Sequence, residues 1–345
     1  MRKFVSKIRV SIPLCVTLVA CGANTEPPTP DSHPEQESLR GVNLAGADFG
    51  ETALPGVFDQ DYTYPTTDEV DYFVGKGMNV FRIPFRWERL QQSLGAELDV
   101  DEEARLRNIV EYATERGAAV ILDPHNYARY HGSLIGQGPS VGDFAEFWTR
   151  LATLYRANRR VIFGLMNEPY EIRAEAWLAA ANAAIAAIRA TGATNLILVP
   201  GTNWSGAGSW SSDWGYGTNA DTMQAVVDPA DRFMFEVHQY FDSDSSGTSS
   251  TCVSATPGSE LLAGFTDWLR YHRYRGVLGE FGVGNDETCL TALRDVLAHM
   301  DENGDVWHGW TYWAAGPWWG DYRFSIEPEG CADKPQMTVL LDYLP

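Results

Sequence analysis

Short apolar segments recur along this chain about every 30 to 45 residues from residue 41 onward. The segments are 41–47, 79–85, 119–125, 161–168, 196–201, 233–240, 276–282 and 308–313. Helical patterns separate most of them, at 101–116, 144–155, 174–189, 259–271 and 290–303. Eight strands that alternate with helices predict an α/β fold of the (β/α)8 TIM-barrel type, which forms one domain.

The polar residues of these segments are concentrated at their C-terminal ends. Those ends are Phe-Arg-Ile-Pro at 81–84, Asp-Pro-His-Asn-Tyr at 123–127, Asn-Glu-Pro at 167–169, His-Gln-Tyr at 238–240, Glu280 and Trp313. In a (β/α)8 barrel the C-terminal strand ends meet at one face, where active sites lie. The pattern therefore predicts a ligand-binding face built from polar groups.

Two of the strand ends carry a glutamate. Glu168 precedes Pro169, which has no backbone N–H, so we expect the strand to stop there with Glu168 in an extended conformation. Glu280 ends a second, glycine-flanked apolar run. Two carboxylates at the mouth of one barrel are the minimum that hydrolysis of a glycosidic bond requires. The sequence thus predicts a glycosidase.

The composition excludes several other functions. A net charge of −20 argues against nucleic acid as a partner, because such proteins need a basic surface. The chain has no GxSxG, HExxH or GxxxxGK[ST] motif. Asp242 and Asp244 lie in a loop that lacks the closing glutamate of an EF-hand. We therefore expect a loop turn at these residues instead of a calcium site, and the 12 tryptophans would suit a polysaccharide substrate.

The N-terminal segment has the composition of a targeting sequence. Basic residues at 2–9 precede an apolar run at 10–20, which is too short to span a bilayer. Leu-Val-Ala-Cys at 18–21 resembles a bacterial lipobox. We expect residues 1–20 to be a lipoprotein-type signal peptide, with Cys21 lipidated after cleavage. A plain secretory signal with an incidental cysteine is the alternative.

Residues 21–38 are rich in Pro, Glu, Ser and Thr, and are predicted to form an extended tether before a catalytic domain at 39–345. Beyond Cys21 the chain has three cysteines, Cys252, Cys289 and Cys331. Outside the cytoplasm these predict one disulfide and one free or buried thiol. No CxxC pair is present, which disfavours a zinc site.

Five motifs, in chain order, resemble glycoside hydrolase family 5, in the branch of endo-β-1,4-glucanases that includes fungal secreted cellulases. They are Leu-Asp-Pro-His-Asn-Tyr-Ala-Arg-Tyr (122–130), Gly-Leu-Met-Asn-Glu-Pro (164–169), His-Gln-Tyr-Phe-Asp-Ser-Asp-Ser-Ser-Gly-Thr (238–248), Leu-Gly-Glu-Phe-Gly (278–282) and Ala-Gly-Pro-Trp-Trp-Gly-Asp-Tyr (315–322). The resemblance covers 41–344 and implies a retaining (β/α)8 hydrolase without a cofactor.

The resemblance also implies roles for particular residues. It makes Glu168 the acid/base and Glu280 the nucleophile. Supporting and substrate-binding positions fall on Arg82, His125, Asn126, Asn167, Trp204, His238, Tyr240, Trp313 and Trp319. For Trp204, Trp210, Trp318 and Trp319, a sugar platform and ordinary packing remain equally open. The resemblance pairs Cys252 with Cys289 and leaves Cys331 unmatched, and Pro124 departs from the aliphatic residue expected before His125.

These roles give a chemical expectation for each group. Glu168 should donate a proton, and Glu280 should stay ionised beside Arg82 while Tyr240 donates a hydrogen bond to it. Asn167 should bond the sugar 2-hydroxyl. His125 and His238 are expected to form hydrogen bonds in the site instead of binding a metal.

The leading interpretation is a monomeric endo-β-1,4-glucanase that acts on cellulose-like chains at a bacterial cell surface, held to the membrane only through Cys21. A β-mannanase or a mixed-linkage β-glucanase on the same barrel is the neighbouring alternative. A more distant one is a surface lipoprotein that binds glucan without cutting it. Such a protein would be expected to have lost a carboxylate, and Glu168 and Glu280 are both present.

Overall fold

The computed structural model describes residues 37–330 and 332–345 of the chain. Eight parallel strands close into a barrel in the order β1-β2-β3-β6-β7-β8-β9-β10, with β10 pairing back to β1. The predicted signal peptide, Cys21, nearly all of the predicted tether and Cys331 lie outside the described residues. The (β/α)8 prediction is confirmed.

Each predicted apolar segment overlaps one barrel strand. The strands are β1 (Leu39–Leu44), β2 (Val80–Phe85), β3 (Ala119–Pro124), β6 (Val161–Gly164), β7 (Ile197–Pro200), β8 (Phe233–His238), β9 (Gly276–Glu280) and β10 (Trp307–Ala315). A two-stranded hairpin of β4 (Arg129–Tyr130) and β5 (Ser133–Leu134) lies in the loop after β3. Six of the strands end before the C-terminal end of their apolar run, because the last residues leave the ladder to form the mouth, whereas β10 extends beyond its predicted run at both ends.

Helices connect the strands around the outside. They are α1 (Thr67–Gly75), α2 (Trp87–Leu90), α3 (Val100–Glu115), α4 (Val141–Tyr155), α5 (Ala174–Ala190), α6 (Asn219–Thr222), α7 (Ala263–His272), α8 (Glu287–Glu302) and α9 (Pro335–Leu341). Three of the four longest helices begin at side-chain caps: Asp99 accepts hydrogen bonds from two backbone N–H groups of α3, Ser140 caps α4 and Asp286 caps α8. None of the helices within the described ranges is long and apolar enough to cross a membrane.

The barrel interior changes character along its axis. Val80, Ile121 and Met234 belong to an apolar cluster of buried residues inside the strands. Two residues further along the same strands, and so on the same face, stand Arg82, Asp123 and Glu236. All three are at most 1% exposed. The apolar cluster therefore lies beneath a layer of buried charged residues, and the mouth of the barrel lies directly above that layer.

Candidate active site

Glu168 and Glu280 face each other at the mouth. Glu280 is the last residue of β9 and is 6% exposed. Glu168 lies four residues beyond the end of β6, and 15% of its side chain is exposed. A carboxylate oxygen of each, together with a ring nitrogen of His238, lie within 4.8 Å of one another. This separation suits a retaining glycosidase, whose carboxyl groups are about 5–5.5 Å apart, better than an inverting one.

The backbone at Glu168 differs from the sequence-based expectation. The residue has φ of 41°, in the left-handed region, instead of the extended conformation that Pro169 predicts. The strand also ends at Gly164 and not at Glu168. A non-glycine residue in this region is strained by about 1–3 kcal/mol, and such residues cluster at active sites. The chain turns here to aim the carboxyl group across the mouth.

Glu280 lies among donors that favour its ionised form. The Tyr240 hydroxyl donates to Oε1 at 2.5 Å, as predicted. Oε2 is 3.6 Å from an Arg82 nitrogen and 3.7 Å from His238 Nδ1, and accepts no hydrogen bond from any described residue. Burial, with the charge of Glu168, raises the pKa of Glu280 to about 7 despite those neighbours. Oε2 is thus a buried oxygen with a free lone pair.

His238 stands between the two carboxyl groups. Its Nδ1 is 2.8 Å from Glu168 Oε1, and its Nε2 is 3.4 Å from Glu236 Oε1. Burial by itself lowers the pKa of His238, but the charges of Glu280 and Glu168 and the contact with Glu236 outweigh it and raise the pKa to about 10. The ring is therefore a cation that donates from both nitrogens.

Glu168, His238 and Glu280 also have the spacing of a set of metal ligands. A ligating imidazole must be neutral, because the metal takes the lone pair that a proton would occupy. The raised pKa keeps the ring of His238 protonated. The ring nitrogen Nδ1 of His238 already lies within hydrogen-bond distance of Glu168, at 2.8 Å, so we interpret the three residues as a hydrogen-bonded group.

Arg82 has more partners than the sequence analysis assigned to it. Its Nε donates to Glu236 at 2.9 Å, and its Nη1 is 3.0 Å from Asp123 Oδ2. The contact with Glu280 is the longest of the three, at 3.6 Å. Arg82 does face Glu280, as expected, but its position is fixed by the two buried acids beneath.

A second hydrogen-bonded chain runs from Arg82 to His125. Arg82 Nη2 donates to Asn167 Oδ1 at 2.8 Å, and Asn167 Nδ2 lies 3.1 Å from His125 Nε2. His125 Nδ1 is 2.8 Å from Asp123 Oδ2. Burial lowers the pKa of His125 to about 3, so the ring is neutral, with Nδ1 donating and Nε2 accepting. One Asn167 Nδ2 hydrogen remains for a substrate hydroxyl.

Asn126 forms its side-chain hydrogen bonds outside this network, and its place in the substrate-binding set stays a prediction. Its Oδ1 accepts the backbone N–H of Trp87 at 2.7 Å, and its Nδ2 donates to Glu88 at 2.7 Å. The amide is used in fixing α2 to the end of β3. Pro124 leaves the delivery of His125 intact, because the His125 N–H donates to the Phe85 carbonyl at 2.7 Å.

The comparisons with known proteins agree with this geometry. Residues 41–316 match the model of the Cellulase family, glycosyl hydrolase family 5. The chain belongs to glycosyl hydrolase family 5. The match begins within β1 and ends just beyond β10, so it contains all of the barrel except its first two residues, and both carboxyl groups.

The chain is similar to one named protein and to two solved structures. Endo-beta-1,4-glucanase A of Emericella nidulans is 44% identical over 88% of this chain and 91% of its own length. The crystal structure of an endo-beta-1,4-glucanase from Xanthomonas axonopodis pv. citri is 50% identical, with a TM-score of 0.87 over 89% of this chain and 98% of that one. The structure of XacCel5A in complex with cellopentaose is 46% identical, with a TM-score of 0.87 over 89% and 99%.

Two tryptophans line the mouth of this family 5 barrel. Trp313, near the end of β10, stacks on His125 with ring centroids 5.4 Å apart and an interplanar angle of 20°. Trp319 stacks on Tyr322 at 4.2 Å and meets Trp313 edge to face at 5.7 Å. These contacts hold flat apolar rings beside the charged groups, in positions suited to a sugar face.

The other tryptophans separate into platforms and packing residues. Trp204 follows β7, is 46% exposed, and stacks on Tyr170 at 5.0 Å with an interplanar angle of 7°. Trp318 is 41% exposed. Trp210 is 1% exposed and packs on Phe265 and other rings, which settles its role as packing. Trp204 is thus exposed to solvent while the ring of Tyr170 stacks against it.

Cys252 and Cys289 form a disulfide, with Cα atoms 5.2 Å apart. This confirms the pairing that the resemblance implied. The bond ties the loop after β8, which carries Tyr240, to the first turn of α8. The same loop is folded around Asp242, which accepts backbone N–H groups from Gly247 and Ser249. Asp242 therefore serves as a turn residue in the structure.

Three buried residues of the site were missed from the sequence: Asn43, Asp123 and Glu236. Asn43 accepts from Arg82 at 2.9 Å, and its amide donates to backbone carbonyls of β9 and β10. Asp123 and Glu236 each stand two residues before a site histidine on the same strand. A carboxylate at that spacing in an otherwise apolar strand is the signal that could have revealed them.

Proposed function

We propose that this chain is a retaining endo-β-1,4-glucanase that hydrolyses internal bonds of cellulose-like chains. The observation that carries the proposal is the pair of carboxyl groups, Glu168 and Glu280, whose nearest oxygens are within 4.8 Å across the mouth. Relatives named as endo-beta-1,4-glucanases, and a solved relative holding cellopentaose, support a β-1,4-glucan as the substrate.

In the first step Glu280 Oε2 attacks the anomeric carbon while Glu168 gives its proton to the leaving glycosidic oxygen. One C–O bond forms to the enzyme as another breaks to the departing sugar. Glu280 is suited to this role because its Oε1 is held by Tyr240 and its Oε2 is free. Glu168 is the more exposed carboxyl group, so it can reach a leaving group in the cleft.

In the second step the ionised Glu168 takes a proton from water, and the oxygen of that water displaces Glu280. The donor that favours ionised Glu168 is His238, 2.8 Å away and positively charged. Two displacements at one carbon restore its configuration, so the product keeps the β-anomer. Asn167 is placed to bond the 2-hydroxyl, and Trp313 to lie beneath the sugar.

The protein is further proposed to act outside the cytoplasm as a monomer. Support for export comes from the signal-like sequence at 1–20 and from the Cys252–Cys289 disulfide, since such bonds persist in oxidising compartments. The lipobox-like sequence at 18–21 supports attachment to a bacterial membrane through a lipid on Cys21.

The test is to trap the nucleophile in purified residues 39–345. A 2-deoxy-2-fluoro cellobioside with a good leaving group should label Glu280, because fluorine slows both steps and the leaving group rescues only the first. Proton NMR should show the β-anomer first. An α-anomer, or a label elsewhere, would contradict the mechanism. Higher rates on mannan than on carboxymethyl cellulose would contradict the substrate class.

A further inference from the structure

Glu236 is a buried carboxylate for which the two-step mechanism gives no direct role. It lies on β8 with its side chain inside the barrel, and it is 1% exposed. Removing a charge from water is costly unless the protein provides partners, so a carboxylate at this depth needs specific contacts.

The neighbouring strand leaves space for this side chain. A Cβ atom added at Gly279 would lie 2.2 Å from Glu236 Oε1, which no real contact allows. A side chain at Gly279 would therefore displace the carboxylate. Gly279, the residue before Glu280 on β9, thus leaves the space that the Glu236 carboxylate occupies.

The contacts of Glu236 lead to both catalytic carboxyl groups. Arg82 Nε donates to Oε1 at 2.9 Å, which turns another edge of the guanidinium toward Glu280. His238 Nε2 is 3.4 Å from the same oxygen, which turns Nδ1 toward Glu168. One buried oxygen therefore orients two cations, and each cation faces one of the reacting carboxyl groups.

We propose that Glu236 is a positioning residue that holds His238 and Arg82 in the orientations in which they serve Glu168 and Glu280. This inference rests on the proposed glycosidase function. Glu236 does not touch the reacting atoms, and acts on them only through the two cations. Its negative charge keeps both protons on His238, so that Nδ1 donates to Glu168 when that carboxyl group becomes ionised during each turnover.

The charge on His238 depends on every group that faces it. Glu168, Glu236 and Glu280 favour the cation, with Asp123 acting from further away, whereas burial and the charge of Arg82 oppose it. Removing one of three nearby carboxylates should lower the pKa of His238 by about 1–3 units. Glu236→Gln does this while it keeps the volume of the side chain.

The experiment measures the His238 ring by NMR on imidazole-labelled protein, with the signal assigned from a His238→Gln variant among the 7 histidines. In the wild type the ring should stay protonated through neutral pH. In Glu236→Gln it should titrate lower by about 1–3 units. The kcat on cellooligosaccharides should fall by about 10²-fold with little change in KM.

Asp123→Asn is the matched control. It removes another buried carboxylate that contacts Arg82, at 3.0 Å, but one whose histidine partner is His125. It should reduce kcat and shift His238 much less than Glu236→Gln does. Glu236→Asp, which keeps the charge, should preserve the protonation of His238, and it provides a second variant if the amide does not fold.

An unchanged His238 titration in Glu236→Gln, or wild-type kcat in that variant, would overturn the proposal. Failure of the glucanase function would appear differently, as a lack of β-glucan hydrolysis by the wild type. The titration of His238 does not depend on the substrate, so it tests the positioning role in either case.

Discussion

His125 and His238 lie at the same barrel mouth and have opposite protonation states. The pKa is lowered to about 3 in His125, where burial dominates, and raised to about 10 in His238, where carboxylates surround the ring. His125 can therefore accept a hydrogen bond from Asn167, while His238 donates to Glu168. The residue type is the same, and the neighbouring charges decide its chemical role.

Replacing Glu168 with Gln should separate the two steps of the reaction. We expect kcat on cellooligosaccharides to fall by about 10²–10⁴-fold, because the leaving oxygen is no longer protonated. An aryl cellobioside with a good leaving group needs little protonation, so its first step should lose much less. Added azide should then speed turnover and give a β-glycosyl azide, because a small anion needs no general base.

Steady-state rates on both substrates, with and without azide, provide the measurement. Glu171→Gln is a control, since Glu171 is an exposed carboxylate three residues away that pairs with Arg129. It should behave like the wild type. Equal losses on both substrates and no response to azide would remove Glu168 from the role of acid/base.

The pH dependence should follow the proton that the two carboxyl groups share. Burial, with the charge of Glu168, raises the pKa of Glu280 to about 7, above its usual range. A raised carboxyl pKa means that the pair keeps its last proton below about pH 7 and loses it above. Since the first step needs that proton, kcat/KM on cellooligosaccharides should fall as the pH rises through about 7.

The same profile in Glu168→Gln is the internal check. With an activated aryl substrate this variant should lose the fall above pH 7, because the amide does not titrate and the neighbouring charge is gone. A fall that persists unchanged in the variant would show that another group, and not the carboxyl pair, controls the profile.

Strand β9 shows how one element is adapted to its neighbour. Gly279→Ala would force a Cβ to within 2.2 Å of Glu236 Oε1, so the strand or the buried acid must move. Overpacking of this kind costs about 1–3 kcal/mol of unfolding free energy. We expect a lower denaturant midpoint and a loss of activity, because Glu280 is the next residue.

Gly264→Ala is the matched control for that substitution. Gly264 lies in α7, and a Cβ added there meets nothing within 4 Å. Alanine should stabilise the helix by about 0.5–1 kcal/mol. If both alanines shift the denaturation midpoint in the same direction, the space at Gly279 is not reserved for Glu236.

The polar ends of the strands were predictable because they interrupt apolar runs. That signal located Arg82, His125, Glu168, His238 and Glu280 without a structure. It did not show which alternate residues of a strand buried on both faces point inward, so Glu236 was missed and Asp123, although part of a polar strand end, was given no role. The turn at Glu168 was also missed, because tertiary contacts override the local preference of a residue that precedes proline.

The site and the start of the barrel lie at opposite ends of the fold. Glu280 is the last residue of β9 and Glu168 follows β6, both at the C-terminal ends of the strands, whereas the chain enters the barrel at Leu39, the N-terminal end of parallel strand β1. The described chain therefore begins at the end of the barrel away from the mouth.

The proposed lipid anchor predicts that the protein, expressed from residue 1 in a bacterial host, is attached to the membrane through Cys21. Cys21→Ser should release the enzyme from the membrane fraction, because the residue that would carry the lipid is gone. Its specific activity on a soluble glucan should not change, since the tether can extend by about 50 Å at ~3.1 Å per residue and enters opposite the mouth.

Cys15→Ser, within the signal-like segment, is the control and should leave the protein membrane-bound. Mass spectrometry of the mature N-terminus, with fractionation of all three proteins, decides the question. A wild type that is already soluble and carries an unmodified Cys21 would rule out the anchor and favour the plain secretory signal.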